Sequence, residues 1–109
     1  MILRDKNIEI FEEVQPSSKD YFSFDDLVNL ECIFASHNLI KDIYGICRIY
    51  TLRELNLSFN MIQDITPIDQ LCHLEKLFLN RNKISVLEPI KKLTSLQVLQ
   101  LFHNEIFNA

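Results

Sequence analysis

Leucine and isoleucine recur along the chain at a fixed spacing of 22 residues. Each recurring leucine is followed ten residues later by an isoleucine that keeps the same spacing. The two columns consist of Leu30, Leu52, Leu74 and Leu96, and of Ile40, Ile62, Ile84 and Ile106. Self-similarity at a period of roughly 20 to 50 residues indicates an array of stacked units rather than an irregular globule.

Asparagine forms a third column in the same register, at Asn38, Asn60, Asn82 and Asn104. The units begin LECIFASHNLI, LRELNLSFNMI, LEKLFLNRNKI and LQVLQLFHNEI, so they share the pattern L-x-x-L-x-L-x-x-N-x-I, with Ile33 and Ala35 as substitutes in the first. Backbone groups in a turn need partners, and an asparagine amide can bond the backbone of its own and the neighbouring unit. We therefore expect these four asparagines to form a structural ladder.

The first part of each unit predicts one short strand, because alternate side chains of a strand point to opposite faces. In the second unit, Leu55 and Leu57 are expected to point inward and Asn56 outward. The later part predicts a short turn, since Ile62, Ile65 and Ile68 recur every three residues, as in a 3₁₀ helix. Prolines at the corresponding positions of two units, in Thr66-Pro67 and Glu88-Pro89, favour the start of this turn.

Residues 27–109 resemble the leucine-rich-repeat family. The middle repeat, NLSFNMIQDITPIDQL, is most similar to the 22-residue class typified by the leucine-rich regulatory subunit of protein phosphatase 1. Members of this class include an axonemal dynein light chain, tubulin-folding cofactors, centrosomal proteins and a spliceosomal A-prime protein, and they act by binding partners. The resemblance implies an α/β solenoid with short parallel strands on the concave face and 3₁₀ or short helical turns on the convex face.

The pattern divides the chain into an N-terminal cap, residues 1–29, and repeats at 30–51, 52–73, 74–95 and an incomplete 96–109. Two interpretations of the cap stay open. Leu3 to Val14 fits a degenerate repeat with Lys6 at the asparagine position and Gln15 to Asp26 as an insertion, or the segment is an irregular hydrophobic cap. Ser23-Phe-Asp-Asp26 is a candidate cap for a short helix running to Leu30.

A single unit cannot fold alone, because its inward aliphatic side chains do not offset the conformational entropy lost on ordering it. Interior units bury both flanks, whereas terminal units need a cap. The last unit stops fourteen residues after it begins, and an uncovered edge strand around Leu99 and Leu101 would invite pairing with another chain. We therefore expect this sequence to belong to a longer array or to be covered by another chain.

Function is expected at the outward strand positions, since folding occupies the leucine, isoleucine and asparagine columns. Phe34, Phe59, Phe78 and Phe102 lie on or beside the predicted concave face. Interface centres are rich in aromatic residues and arginine. The predicted partner-binding residues are Phe34, Phe59, Phe78, Phe102, Arg81, His37, His103, Arg53, Lys76, Asn56 and Gln100. In the alternative interpretation, Phe59 and Phe102 fold over the strand ends to shield the core, and Phe34 and Phe78 belong to the core.

Charged residues on neighbouring strands are expected to form a ladder on this face. Arg53 lies between Glu31 and Glu75, and Glu54 lies beside Lys76. Exposed cross-strand pairs contribute well under about 1 kcal/mol each. The ladder is therefore either a solvated surface or a device that sets the position of a charged partner helix.

Catalytic and metal sites are not predicted. His37 and His103 occupy one column three strands apart, about 14 Å at the usual strand spacing, which is too far to share a metal ion. Cys32 and His37 lie five residues apart on one strand, roughly 16 Å, which excludes a cysteine–histidine nucleophile. One glycine in the whole chain leaves no phosphate-binding loop. We expect no enzyme activity, no cofactor and no metal.

Charge and cysteine content limit the classes of partner and the cellular compartment that we expect. Eleven basic against fifteen acidic residues give a net charge of −4, which argues against direct nucleic-acid binding. The first residues carry charge and no apolar stretch, so no signal peptide or membrane span is predicted. Three cysteines without a pairing pattern fit a reducing compartment. We expect an intracellular, cytoplasmic protein with possible cytoskeletal or ciliary location.

The sequence thus predicts a non-catalytic module that binds a partner protein on its concave face, as an adaptor or regulatory subunit. The alternative is a structural component of a cytoskeletal, ciliary or other stable assembly, as part of a longer repeat array. Expected partners are a phosphatase, a motor, a tubulin-related protein or another assembly component. Neither the pattern nor the resemblance selects among them.

Overall fold

The computed structural model describes residues 30–45 and 49–106. The predictions of a degenerate repeat and of a helix cap within residues 1–29 lie outside these residues.

The sheet consists of four three-residue strands, one for each described unit. They are β1 (Cys32–Phe34), β2 (Glu54–Asn56), β3 (Lys76–Phe78) and β4 (Val98–Gln100). All neighbouring pairs are parallel, and the strands follow one another in chain order. The predicted parallel solenoid is confirmed.

Each strand aligns with the next at a shift of 22 residues. Leu55 is the register partner of Ile33 on one side and of Leu77 on the other, so the central inward side chains form one continuous row. Leu55 and Leu57 are fully buried while Asn56 between them is only half-buried, which confirms the predicted alternation. This alternation leaves the side chains on either side of the central row free to form the concave face.

On the convex side, the residues that the structure describes include the 3₁₀ helices Thr66–Gln70 and Glu88–Lys92. In the first, the Ile68 amide donates to the Ile65 carbonyl (3.0 Å) and the Leu71 amide to the Ile68 carbonyl (2.9 Å). A proline stands at the start of both helices, where its missing N–H costs nothing. The three-residue spacing of isoleucines therefore predicted the turn type correctly.

The core runs along the inside of the sheet and ends against the 3₁₀ helices. In the second unit all seven aliphatic positions of the repeat are buried: Leu52, Leu55, Leu57, Ile62, Ile65, Ile68 and Leu71. The same columns continue with buried Leu77 and Ile84 in the third unit. Burial of one unit is thus completed by its neighbours on both flanks.

The asparagine column joins consecutive units by a repeated set of hydrogen bonds. The Asn60 side-chain Oδ1 accepts from the Ile40 amide of the preceding unit (3.0 Å). Its Nδ2 donates to the Leu57 carbonyl in its own unit (2.8 Å) and to the Ala35 carbonyl of the preceding one (3.2 Å). Asn82 and Asn104 make the equivalent bonds one and two units later.

An aspartate starts the convex turn of two units, a feature that the sequence analysis missed. Asp64 Oδ1 accepts from the Thr66 amide (2.9 Å) and hydroxyl (2.6 Å), and its Oδ2 accepts from the Tyr44 hydroxyl (3.0 Å). The Thr66 bonds lower the pKa of Asp64, and the bond to Asp64 raises the pKa of Tyr44. Asp42 accepts from the Tyr44 amide in the same way (2.9 Å). Asp64 thus satisfies the backbone amide of the first residue of the Thr66–Gln70 helix, and Asp42 satisfies the Tyr44 amide at the corresponding place of the preceding unit.

Candidate partner-binding face

The middle row of the concave face contains two phenylalanines separated by one strand. Phe34, Asn56, Phe78 and Gln100 are register partners from β1 to β4. Phe34 and Phe78 are therefore about 10 Å apart along the sheet. Both side chains are half-buried, while the inward residues beside them are fully buried. They line the outer surface and are not part of the core.

The polar residues around these phenylalanines are held by internal bonds. Asn56 Oδ1 accepts from the Ser58 amide (3.0 Å). Asn80, which the sequence analysis did not select, donates to Gln100 Oε1 (2.8 Å) and accepts from the Phe102 amide (2.8 Å). The orientation of these amides is therefore fixed by contacts within the fold.

A second row stands where each strand ends, one residue before the ladder asparagine. It consists of His37, Phe59, Arg81 and His103, and is called the strand-end row below. All four residues have a left-handed backbone, with φ of 58°, 60°, 57° and 57°. This conformation costs a non-glycine residue roughly 1–2 kcal/mol. The chain retains large side chains at positions where glycine would relieve the strain.

Side chains of the strand-end row stack on one another. The His37 and Phe59 rings are parallel to within 15°, with centroids 4.2 Å apart. The Arg81 guanidinium lies 5.5 Å from the centroid of the Phe59 ring, within cation–π range. His37 and Arg81 thus both contact the Phe59 ring, in a row at the C-terminal ends of the strands.

Phe59 and Phe102 lie at the surface. Phe59 is 42% exposed and Phe102 is 66% exposed, and neither belongs to the buried core. Both contribute apolar surface beside the concave face.

The predicted charge ladder forms in part. Arg53 Nη1 lies 2.7 Å from Glu75 Oε2, and Arg53 Nε lies 3.8 Å from Glu31 Oε1. Glu54 and Lys76 are register partners but make no ion pair within residues 30–45 and 49–106, and a carboxylate oxygen of Glu54 lies 3.9 Å from the Cys32 sulfur instead. The expected Glu54–Lys76 pair is wrong, since the register alone does not bring the two charged groups into contact.

The described part of the chain holds no cluster of three or more histidine, cysteine, aspartate or glutamate side chains arranged for a metal ion. Over the same residues, no helix has both the length and the apolar character needed to cross a bilayer. The shallow depression of about 270 Å³ on the convex side is lined by Gln63, Asp64 and Thr66 with three apolar neighbours. It holds none of the predicted contact residues.

The structure therefore brings most of the predicted contact residues to one face. Phe34, Phe78, Asn56 and Gln100 share the middle row, Arg53 and Lys76 lie towards the strand starts, and the remaining residues lie at the strand ends. What the sequence analysis missed is the backbone strain of the strand-end row. None of these residues is glycine, so residue type did not indicate a left-handed backbone. The only available indication was their common position, one residue before each ladder asparagine.

Comparisons with known proteins agree with the geometry. The model of the family "Leucine Rich repeats (2 copies)" matches residues 50–88 and 72–108. No curated protein matches the sequence.

Two solved structures from Listeria monocytogenes resemble the fold. One is internalin C2, with a TM-score of 0.74 and 30% identity over 76% of this chain and 37% of that protein. The other is an internalin named inlF, with a TM-score of 0.72 and 30% identity over 79% of this chain and 25% of that protein. This chain therefore spans well under half the length of either protein.

Leucine-rich-repeat domains are in general non-catalytic modules for protein–protein interaction. The 22-residue period, the parallel strands, the asparagine ladder and the family match all apply to the same residues. The chain belongs to the leucine-rich-repeat family.

Proposed function

We propose that this protein binds a partner protein on its concave face, as an adaptor or regulatory subunit, and performs no catalysis itself. The observation that carries the proposal is the surface formed by Phe34, Phe59, Phe78 and Phe102 beside Arg81. Aromatic residues with an arginine are the composition typical of interface centres. None of these side chains belongs to the buried core.

The resemblance to the class of the phosphatase regulatory subunit supports an intracellular, cytoplasmic setting, with a phosphatase, a motor, a tubulin-related protein or another assembly component as partner. Arg53, Lys76, His37, His103, Asn56 and Gln100 are the proposed polar contacts around the phenylalanines.

The experiment compares proteins captured from a cell extract by the unaltered chain and by a Phe34→Ser/Phe78→Ser variant. We expect the variant to lose the partner, which is then purified and titrated against both chains by calorimetry. Each substitution is expected to lower the free energy of unfolding by only about 1 kcal/mol, because both rings are half-buried.

The matched control is Tyr50→Ser/Val86→Ser, which removes two exposed apolar side chains that do not lie in the rows of the concave face. This control should keep the partner. A partner bound equally by all three chains would contradict the proposal, and a collapse of folding in the phenylalanine variant would show that those residues are core.

A second candidate is a structural component of a cytoskeletal, ciliary or other stable assembly, as part of a longer repeat array. The observation that favours it is the flank of β4, where Leu99 is 39% exposed. An apolar edge strand is commonly covered by a neighbour. Solubility only in the presence of a co-expressed partner would favour this candidate, whereas reversible capture at micromolar concentration would favour the adaptor.

A further inference from the structure

The concave face is electrically polarised from one edge to the other. Towards the strand starts, the outward rows carry the carboxylates of Glu31, Glu54 and Glu75 and the cations of Arg53 and Lys76, so three negative and two positive charges leave −1. Arg53 is already engaged by two of these carboxylates. This side of the face therefore has little capacity for a further anion.

The opposite end of the strands, formed by the strand-end row, carries one cation, Arg81, and none of its four residues is acidic. Among residues 30–45 and 49–106, no carboxylate lies within ion-pair distance of Arg81. Its guanidinium lies close to the Phe59 ring, and an arginine that stacks on a ring can keep its N–H edge for a carboxylate. His37 and His103, on either side, each supply at least one further N–H donor whatever their protonation state.

The side chains of the strand-end row are aligned across the sheet, perpendicular to the strands. The stacking of His37, Phe59 and Arg81 fixes three consecutive side chains in line across neighbouring strands. All four residues share the same left-handed backbone conformation. Strain that a structure maintains at several equivalent positions is a reason to look for function there.

The middle row adds an apolar contact parallel to the strand-end row. Phe34 and Phe78, about 10 Å apart, match the rise of two helical turns, which is about 10.5 Å over seven residues. A helix lying along the sheet would place apolar side chains seven residues apart on these two rings. One flank of that helix would then face Arg81.

We propose that the partner segment is an acidic amphipathic helix, whose apolar stripe contacts Phe34 and Phe78 and whose carboxylates face the strand-end row. This inference rests on the proposed function and specifies the chemistry of the partner. The acidic residues of the partner helix are expected on the flank that faces Arg81. The rows near the strand starts already contain more carboxylates than cations and would repel them.

The test uses two synthetic helical peptides with capped ends. Both carry leucines along one face at helical spacing, and they differ only in having glutamate or lysine along one flank. Binding to the full chain is measured by fluorescence anisotropy at neutral pH and about 0.15 M salt, where the screening length is about 8 Å. We expect the glutamate peptide to bind roughly tenfold tighter or more, and Arg81→Glu to abolish or reverse that preference.

The control variant is Lys91→Glu, which makes the same change in charge on the convex side. It should leave the preference for the glutamate peptide in place, because exposed charges at that distance are screened. Thermal unfolding of Arg81→Glu checks that the fold is kept, and Arg81→Gln, which removes the charge without reversing it, should give an intermediate preference.

Three results would overturn the inference. They are equal binding of the two peptides, binding of neither, and a preference that survives Arg81→Glu. If a lysine peptide binds and Phe34→Ser/Phe78→Ser removes that binding, the proposed function stands while the acidic partner is wrong. If the phenylalanine variant keeps its affinity for every peptide and captured protein, the proposed function itself fails.

Discussion

The second and the last described units have nearly the same repeat but very different burial. Leu55 at the centre of β2 is fully buried, whereas its equivalent in β4, Leu99, is 39% exposed. The sequence at the two positions is identical, and both strands pair in the same register. The difference arises from neighbours alone, because β2 lies between two strands and β4 pairs with one among the described residues. The contribution of a leucine to the free energy of unfolding therefore depends on whether its strand has neighbours on one side or on both.

The largest expected effect comes from removing one leucine at each of these places. Leu55→Ala leaves a cavity with neighbours on both flanks, so we expect a loss of about 3–4 kcal/mol in the free energy of unfolding. Leu99→Ala should cost about 1 kcal/mol, since part of that side chain is already in water. Urea unfolding of both variants, followed by circular dichroism, measures the difference. Equal losses would show that burial in the stack does not set the contribution.

Replacing a ladder asparagine should lower the free energy of unfolding by a smaller amount. The local effect should appear in the preceding unit, whose backbone amide loses its acceptor. Asn60→Ala removes the acceptor of the buried Ile40 amide and one of the two side-chain donors to the Ala35 carbonyl, which should cost about 2–3 kcal/mol. Asn104→Ala should cost about 1 kcal/mol, because its bonds are only partly buried. Hydrogen exchange checks the direction: protection of the Ile40 amide should fall in Asn60→Ala and remain in Asn104→Ala.

The smallest effect concerns pH and the convex turn. The Thr66 bonds hold the pKa of Asp64 below its value in the unfolded chain. The resulting stabilisation is present above the unfolded pKa, near 3.8, and is lost as pH falls through the lower folded pKa. Asp64→Asn should therefore unfold with a weaker dependence on pH below about 4 than the unaltered chain.

The third unit supplies a natural reference for this measurement, because Val86 stands where the second unit has Asp64. An Asp64→Val variant should behave like Asp64→Asn in its pH dependence. If the stability of both variants fell with acid as steeply as that of the unaltered chain, the Asp64 carboxylate bonds would contribute nothing measurable to the free energy of unfolding.

The stacked architecture could be predicted because three columns repeat over four units. Leucine spacing indicated the strands, and the three-residue spacing of Ile62, Ile65 and Ile68 indicated 3₁₀ turns that the structure confirms. Such elements can be predicted because they depend on the spacing of apolar residues, which can be read directly from the sequence. The Arg53 ion pairs also followed from the register.

Details that depend on exact side-chain positions could not be predicted. The half-burial of Phe34 and Phe78 depends on how neighbouring outward side chains lean against them, and the absent Glu54–Lys76 pair depends on rotamers at an exposed position. The left-handed backbone of the strand-end row had no glycine to signal it. The role of the concave face as a binding site stays a prediction.

The asparagine ladder has a direction, and that direction constrains how such a chain can change in length. The Ile40 amide depends on Asn60 twenty residues later, and Ile62 and Ile84 depend in turn on Asn82 and Asn104. Deleting a single residue between two partners shortens that one coil and disturbs its own pairing, while the later pairs keep their spacing of twenty residues. Gain or loss of a complete 22-residue coil preserves all of these pairings, so growth by whole duplicated units is the change that this backbone tolerates best.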